Sequence, residues 1–550
     1  MTDHTPKLHI AIVLATAAGL VAYALHEWWT TDDALITFRY VQNFASGHGL
    51  VYNPGERVEG FSSFLFVLFL APFQLLHLDL FVVANLLGIA ASVVELILVL
   101  AIVRRVTRSP ALVGLAGVLF ASDRIVTVWS TGGLETSVQG ALVTALIAVV
   151  LLRPAVSGAI AAGALCLALA VNRPEGALYF PLYLAWLVLA RRAQAGPALA
   201  RAANVFLPGV ALLLVARFLY YNELLANPFR AKVAGVSTAD LGAGYLHYFA
   251  MRVGWTSIPA LAWVAVAGVA IWGVVRRDRA ISATTADAPV GPAIALAVVV
   301  VVVVAQLAAV FVMGGDYMCD FRFCRPIIGP LVLAVACAFA LAPRNAVVVV
   351  VAFAFVAAHG WRQYLGVGVF SDAPPAPAHK QRLAVSRDMA DEYHDALLVF
   401  AEPSDTQLVD KSGFMGFGHR MRTIDATGLL SREIERDFYP REDFMENGAR
   451  QRFPGHQRWP RVEFMQRERF TFIFAKVNDQ PPARPEINPD APRRTREYPF
   501  LHVTISLRTG RYLRFFTTLT DDEVFARART KGLTACVRAP WREARCVNAP

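Results

Sequence analysis

Two adjacent carboxylates, Asp32 and Asp33, directly follow the first long apolar segment of this 550-residue chain. Such a pair suits a reaction in which one group accepts a proton from a hydroxyl nucleophile while the other orients the acceptor or holds a divalent cation. General-base catalysis of this kind typically contributes about 10²- to 10⁴-fold in rate. The alternative is that the acids only cap a helix. Because the surrounding loop carries many other ionisable groups, we favour catalysis or metal binding.

The residues around the two carboxylates predict a short helix. Thr30 or Thr31 is a good N-cap, and Leu35, Phe38 and Val41 follow at the spacing of an amphipathic surface helix. The carboxylates then lie in its first turn, where backbone N–H groups and the helix dipole favour anions.

Cationic residues in other loops predicted on the same side form the complementary half of a site. Arginine and lysine can clamp a phosphate leaving group, whose developing charge such donors stabilise. The alternative for each residue is that it reaches from a helix end to lipid headgroups. The candidates are Arg173, Arg230, Lys232, Arg322 and Arg325.

Other polar residues of these loops are candidate substrate contacts, each with a structural alternative. Glu135 follows two glycines and either orients substrate or caps the helix that it starts. His48 stands between two glycines, where a turn residue is commoner than a ligand. For Glu56-Arg57-Val58-Glu59 we favour an internal salt-bridge ladder. The full set of these candidates is Arg39, His48, Glu59, Glu135, Glu175, Asn227, Asp316 and Tyr317.

The elements that must position these residues are apolar segments too long and too numerous for one soluble core. The chain is 56% hydrophobic, and such segments are typical of membrane proteins. From about residue 372 onward they stop, and Pro, Arg, Asp and Glu replace them. We therefore predict a transmembrane domain at 1–360, a linker at 361–380 and a water-facing C-terminal domain at 381–550.

We predict eleven spanning helices. A twelfth candidate, 61–77, would as a full span put Arg104, Arg105 and Arg108 outside, against the enrichment of short cytoplasmic loops in Lys and Arg. We therefore predict a half-inserted interfacial helix there, with the N-terminus cytoplasmic and the C-terminal domain extracytoplasmic. The first segment also resembles a signal peptide, but ten further spans favour a retained helix. The spans are 8–25, 81–103, 111–128, 136–152, 155–171, 177–190, 204–220, 257–275, 291–313, 326–342 and 346–359.

Charge and cysteine content fit this orientation. The net charge of +10 follows largely from the arginines of the predicted inner loops, so it gives no reason to expect a nucleic-acid partner. On the predicted outer side, an oxidising compartment permits a disulfide between Cys536 and Cys546. Cys319 and Cys324 could also pair, and the sequence decides neither pairing.

The loop motifs resemble those of the bacterial GT-C membrane glycosyltransferases, most closely the group around the mycobacterial terminal β-(1→2) arabinofuranosyltransferase. The resemblance covers about residues 1–360 and is more specific for the superfamily than for the sugar. It extends loosely to 410–413 and 424–429 in the C-terminal domain. The motifs are Asp32-Asp33-Ala34-x-Ile36-x-Phe38-Arg39-Tyr40, Gly47-His48-Gly49-Leu50-Val51-Tyr52-Asn53-Pro54-Gly55-Glu56-Arg57-Val58-Glu59-Gly60, Arg173-Pro174-Glu175-Gly176, Asn227-Pro228-Phe229-Arg230-Ala231-Lys232 and Gly314-Gly315-Asp316-Tyr317.

The resemblance implies a polytopic α-helical GT-C fold with juxtamembrane helices in the first outer loop. It also implies transfer of a sugar, with arabinofuranose favoured, from a polyprenyl-phosphate donor to a cell-envelope glycan or another acceptor on the outer face of the plasma membrane. A first-loop Asp, matched by Asp32 or Asp33 with a slight preference for Asp32, serves as the catalytic carboxylate. The resemblance implies no certain cofactor, because such Asp pairs bind a divalent cation (Mg or Mn) in some members of the superfamily and act as bare bases in others.

Three other assignments remain open at this stage. One is a transporter or flippase of a lipid-linked sugar, another is a mannosyl or protein-glycosylating GT-C transferase, and the third is a sensor or assembly factor. For the C-terminal domain, short β-like segments predict an α+β or mostly β fold. The segments are Val462–Phe464, Thr471–Val477, His502–Leu507 and Tyr512–Thr518.

Overall fold

A computed structural model describes most of the chain. The predicted spans 257–275 and 346–359 and the linker 361–380 lie outside the described residues. These are 5–229, 239–253, 290–316, 318–341, 384–418, 421–432, 434, 438–440, 445–446, 449–450, 458–479, 500–539 and 544–548.

Within its described ranges, the N-terminal part consists of helices joined by loops. Two 3₁₀ helices, Pro174–Leu178 and Cys319–Ile327, precede α9 and α13. The α-helices are α1 (Thr5–His26), α2 (Asp32–Ala45), α3 (Phe64–Leu75), α4 (Leu80–Thr107), α5 (Pro110–Ala121), α6 (Arg124–Ser130), α7 (Thr136–Leu152), α8 (Ala155–Asn172), α9 (Tyr179–Ala190), α10 (Arg192–Tyr221), α11 (Ala239–Val253), α12 (Pro292–Met313) and α13 (Ile328–Leu341).

Six helices within the described ranges are long and apolar enough to cross a membrane, and a bent pair, α5 with α6, makes up to seven. These helices support a membrane protein with several spans, while the count of eleven stays a prediction. Helix α3 has 12 residues and is therefore about 18 Å long, short of the roughly 30 Å hydrocarbon layer. This length suits the interfacial position predicted for 61–77.

The segment 111–128, predicted as one continuous span, is broken in the structure. Helices α5 and α6 meet at an angle of 56°. The cause lies in Asp123, whose Oδ1 accepts hydrogen bonds from the backbone N–H groups of Ile125 and Val126, 2.8 and 3.2 Å away. The carboxylate thereby caps a new helix instead of allowing the first one to continue.

The C-terminal part is an α+β domain around a mixed seven-stranded sheet with the order β11-β10-β8-β9-β7-β1-β2. Strand β1 pairs in parallel with β2 and β7, and the other pairs are antiparallel. The strands of this sheet are β1 (Thr406–Val409), β2 (Arg422–Asp425), β7 (Phe472–Asn478), β8 (Leu501–Ser506), β9 (Tyr512–Thr517), β10 (Ala535–Arg538) and β11 (Arg545–Val547). Two small pairs add β3 (Phe438–Pro440), β4 (Met445–Glu446), β5 (Ala449–Arg450) and β6 (Arg458–Pro460).

Helices cover both faces of the large sheet. Apolar side chains of α14 (Arg387–Phe400) and α16 (Asp521–Thr530) form one buried core with it, and those of α15 (Val462–Glu468) form a second. The sequence predicted a strand at Val462–Phe464, and this was wrong. Since Phe464 and Met465 are adjacent and both buried, they pack as one face of a helix, whereas a strand would alternate them.

Candidate functional site

The helix that carries the two carboxylates, α2, is buried between the helical part and the C-terminal domain. All residues from Ala34 to Val41 are buried, so the predicted surface helix is wrong in its environment although right in its position. Thr31 occupies the N-cap without capping through its side chain. Its hydroxyl instead donates to the sulfur of Met318 at 3.3 Å.

Directly before the carboxylates, isolated β-bridges join the chain at Thr30 and Thr31 to two distant segments. Thr30 pairs in parallel with Gly132, and Thr31 pairs antiparallel with Ala384 at the start of the C-terminal domain. The N–H of Val385 also donates to the carbonyl oxygen of Thr30 at 2.8 Å. The first turn of α2 is therefore fixed against both parts of the protein.

Asp32 binds the C-terminal domain with both of its carboxylate oxygens. Oδ2 accepts the backbone N–H of Gly413 at 3.0 Å, and Oδ1 accepts that of Phe414 at 2.8 Å. Burial raises the pKa of Asp32 to about 6. The bond from Phe414 opposes this rise, and the neighbouring charge of Asp33 adds to it. Asp32 is thus partly buried, and each of its two oxygens already accepts a backbone N–H group.

Asp33 faces a cation and retains access to solvent. Its Oδ2 lies 3.0 Å from Nη1 of Arg322, and its side chain is 29% exposed. The Nε of Arg322 lies 2.5 Å from Oδ2 of the buried Asp316. A single guanidinium therefore bridges two carboxylates, of which Asp33 is the more accessible.

A second ion cluster adjoins the first one. Arg173 pairs with both Glu135 and Glu175, and all three side chains are buried. The guanidinium carbons of Arg173 and Arg322 lie 4.8 and 5.0 Å from the centroid of the same ring, that of Phe323. Thus one aromatic ring contacts both arginines, which brings six of the candidates predicted from sequence into one region: Asp33, Asp316, Arg322, Glu135, Arg173 and Glu175.

The segment that presents Arg322 has a strained backbone. Asp320 and Phe321 have φ values of 50° and 49°, in the left-handed region that residues other than glycine rarely adopt. Such conformations persist where the surroundings over-determine them. Here the indole Nε1 of Trp129 donates to the carbonyl oxygen of Asp320 at 3.0 Å, and Nε of Arg124 lies 3.4 Å from its carboxylate.

Arg325, predicted as a phosphate ligand, lies inside the helix bundle. Its Nη1 is 2.6 Å from Oε2 of Glu95 on α4, and both side chains are fully buried. Its Nη2 donates to the hydroxyl of Ser92 at 2.9 Å. This position makes Arg325 an internal anchor of the segment 319–327, and we no longer assign it to the substrate.

Two predicted contacts instead join the C-terminal domain to the helical part. Nη2 of the buried Arg39 donates to the carbonyl oxygen of Met421 at 3.1 Å. The amide of Asn227 donates to the carbonyl oxygens of Gly428 and Leu429, both at 2.8 Å. Both residues therefore stabilise the contact between the two parts.

The predicted ladder at 56–59 does not form within its own loop. Glu59 pairs with Arg217 of α10 at 2.9 Å, and Glu56 pairs with Arg422 of β2. Each acid thus connects the loop to another element. His48 is exposed, and Arg230, Lys232 and Tyr317 lie outside the described residues.

Sequence reasoning missed several ionisable residues that shape the site. Glu95 lies within the predicted span 81–103, and Arg124 within 111–128. Ionisable groups inside apolar segments usually have a partner and a role, so their position alone could have identified them. Arg124 also pairs with Glu27, at 2.5 Å from its Oε1.

Two predictions about metal and cysteine can be compared with the described residues. Across them, no group of three or more His, Cys, Asp or Glu side chains is arranged to hold a metal ion. Cys536 and Cys546 form a disulfide that joins β10 to β11. Cys319 and Cys324 are buried free thiols.

Comparison with known proteins gives a partial similarity to a glycosyltransferase. No family model matches the chain. The chain is 26% identical over 262 residues to a protein of Mycobacterium tuberculosis described as a terminal beta-(1->2)-arabinofuranosyltransferase. The match covers 44% of this chain and 41% of that relative, so less than half of the relative's length is spanned. It supports a relationship to a glycosyltransferase, and with it an enzymatic function in general terms.

Proposed function

We propose that this protein transfers a sugar, with arabinofuranose favoured, from a polyprenyl-phosphate donor to a cell-envelope glycan on the outer face of the plasma membrane. The observation that carries the proposal is the cluster of Asp33, Arg322 and Asp316 beside Arg173. An accessible carboxylate there lies within 3.0 Å of a cation. Sugar transfer from a phosphate carrier uses a carboxylate to accept the proton of the acceptor hydroxyl and a cation to stabilise the phosphate that leaves. The partial similarity to an arabinofuranosyltransferase supports the choice of sugar.

Asp33 is the base in this proposal. It takes the proton of the acceptor hydroxyl, whose oxygen forms a bond to the anomeric carbon of the sugar. The bond from that carbon to the phosphate oxygen breaks, and its electron pair stays on the polyprenyl phosphate. Arg322 stabilises the resulting charge.

Asp32 is the weaker candidate for the base, contrary to the preference from sequence. Both of its oxygens accept backbone N–H groups, and proton abstraction would compete with those bonds. In Asp33, Oδ2 accepts a hydrogen bond from Nη1 of Arg322, and Oδ1 makes no contact with Arg322. We therefore assign proton transfer to Asp33 and a positioning function to Asp32.

A flippase of a lipid-linked sugar is the second candidate. The observation in its favour is the set of charges within the helix bundle, such as Glu95 with Arg325, since transporters also place ionisable residues there. A transferase for mannose or for protein acceptors shares the proposed site and differs only in substrate.

The experiment uses the purified full chain in proteoliposomes with donors labelled in arabinofuranose or mannose and an arabinan oligosaccharide as acceptor. We expect labelled oligosaccharide only with the arabinofuranose donor, and a loss with Arg322→Ala. A flippase would instead move the donor between leaflets without forming product. Absence of product with every donor, from folded protein, would refute the transferase.

A further inference from the structure

We propose that the loop 410–416 of the C-terminal domain is part of the catalytic centre, with Lys411 binding the phosphate of the lipid donor and Asp32 holding the loop in place. This inference rests on the proposed function and extends it. It gives the C-terminal domain a direct part in donor binding, whereas the sequence left open whether it binds acceptor or covers the cavity.

The first observation is how closely the loop approaches α2. Consecutive backbone N–H groups, of Gly413 and Phe414, donate to the two oxygens of one carboxylate, that of Asp32. A Cβ atom at Gly413 would lie 1.8 Å from the backbone oxygen of Asp32. Only glycine therefore permits this contact, and the sequence supplies it.

The second observation is that neighbouring contacts fix the rest of the loop. The hydroxyl of Tyr52 donates to the carbonyl oxygen of Ser412, and Nη1 of Arg39 donates to that of Gly416. A Cβ atom at Gly416 would lie 1.7 Å from the hydroxyl of Tyr52. Both donors are buried, so backbone contacts hold the loop from Ser412 to Gly416.

The third observation concerns the cation at the start of this loop. Lys411 is exposed and lies two residues before Gly413, whose backbone N–H donates to the Asp32 carboxylate. Among the described residues none forms an ion pair with it. A lysine ammonium is a compact point charge that binds phosphate without a fixed geometry.

These observations place cations from both domains beside the carboxylates of α2. Arg322 approaches Asp33 from the helical part, and the loop that carries Lys411 binds Asp32 from the C-terminal domain. A phosphate seated against the first turn of α2 would be neutralised by both. In this arrangement Asp32 contacts no substrate and acts only through the loop.

The test compares Lys411→Ala with Lys411→Arg and with Lys531→Ala, a lysine of the same domain that donates to the carbonyl oxygen of Ala401. The readouts are the KM for the lipid donor and the inhibition constant of undecaprenyl phosphate. Because a hydrogen bond to a charged group is lost, Lys411→Ala should raise both constants about tenfold or more. Lys411→Arg and Lys531→Ala should stay within about twofold of the parent protein.

Asp32→Asn tests the positioning function. Asparagine keeps one acceptor but turns an N–H group toward one of the two loop amides. We expect the KM for the donor to rise, and the double variant with Lys411→Ala to add little further, because both changes remove one interaction. A purely structural function of Asp32 would lower the yield of folded protein and leave KM unchanged.

Two results would overturn the inference. If Lys411→Ala matches Lys531→Ala while Arg322→Ala abolishes transfer, the loop has no contact with the donor and the proposed function stands. If the parent protein transfers no sugar, direct binding of undecaprenyl phosphate, followed by quenching of tryptophan fluorescence, still decides. Equal affinity in the parent protein and in Lys411→Ala would refute the inference independently of catalysis.

Discussion

The ion pair between Glu95 and Arg325 allows a quantitative prediction about stability. Its charged atoms are 2.6 Å apart and both side chains are fully buried. At an effective dielectric constant of about 20, their attraction is roughly 6 kcal/mol, which desolvation largely offsets. Removing one partner leaves the other charge buried and unpaired, and this typically costs about 3 to 5 kcal/mol. We expect Glu95→Gln to fall in that range.

The two single variants should differ in a defined direction. A guanidinium stays charged, whereas a carboxyl group can relieve an unpaired charge by binding a proton. Glu95→Gln should therefore destabilise more than Arg325→Met, and the double variant should recover most of the loss. The assay is thermal unfolding of the full chain in detergent, where we expect the midpoint of Glu95→Gln to fall by several degrees.

The matched control is Arg469→Ala, which removes an ion pair with Glu523 whose side chains are 65% and 44% exposed. Exposed pairs contribute about 0 to 1 kcal/mol, so its midpoint should stay near that of the parent protein. An effect of Glu95→Gln no larger than this control would refute the reasoning, since it would show that the charge is not isolated from water.

Three further predictions follow from the described contacts. Asn227→Ala removes two hydrogen bonds to the C-terminal domain and should destabilise the protein by about 1 to 3 kcal/mol in thermal unfolding; an unchanged midpoint would contradict it. Replacing Cys536 and Cys546 by serine opens a loop with a sequence separation of 10 and should cost about 2 to 3 kcal/mol, which denaturant titration of the full chain measures against the oxidised, disulfide-bonded parent protein. The folded-state pKa of Asp32, about 6, exceeds its ordinary value of 3.8. The ionised carboxylate therefore lowers the free energy of unfolding; this effect is fully present above pH 6 and fades as the pH falls toward 4. As the pH is lowered from 7.5 to 5, the thermal unfolding midpoint of the parent protein should therefore rise relative to that of Asp32→Asn. A difference between the two midpoints that does not change with pH would contradict this prediction.

The sequence predicted the elements best where one physical pattern dominates. Long apolar segments predict helices, and the strands at Phe472–Asn478, Leu501–Ser506 and Tyr512–Thr517 match predicted β-like segments within two residues at each end. In these strands packing follows the local pattern. Val462–Glu468 shows the limit, because a short apolar segment fits a strand or a buried helix equally well.

The sequence predicted several residues of the site but not the long-range ion pairs and hydrogen bonds between them. Asp33, Arg322 and Arg173 were identified from residue type and predicted side of the membrane. Their partners come from distant parts of the chain: Arg322 is 289 residues from Asp33, and Gly413 is 381 residues from Asp32. No local pattern encodes such contacts, so the different functions of the two acids became visible only in three dimensions.

The most direct test of Asp33 as the catalytic base is the turnover of the full chain with Asp33→Asn, with polyprenyl-phosphoryl arabinofuranose as donor. Loss of a general base costs about 10² to 10⁴ in rate. We predict that kcat falls at least about 100-fold while KM for the donor changes little, since Lys411 and Arg322 remain. Turnover of Asp33→Asn equal to that of the parent protein would contradict the central claim.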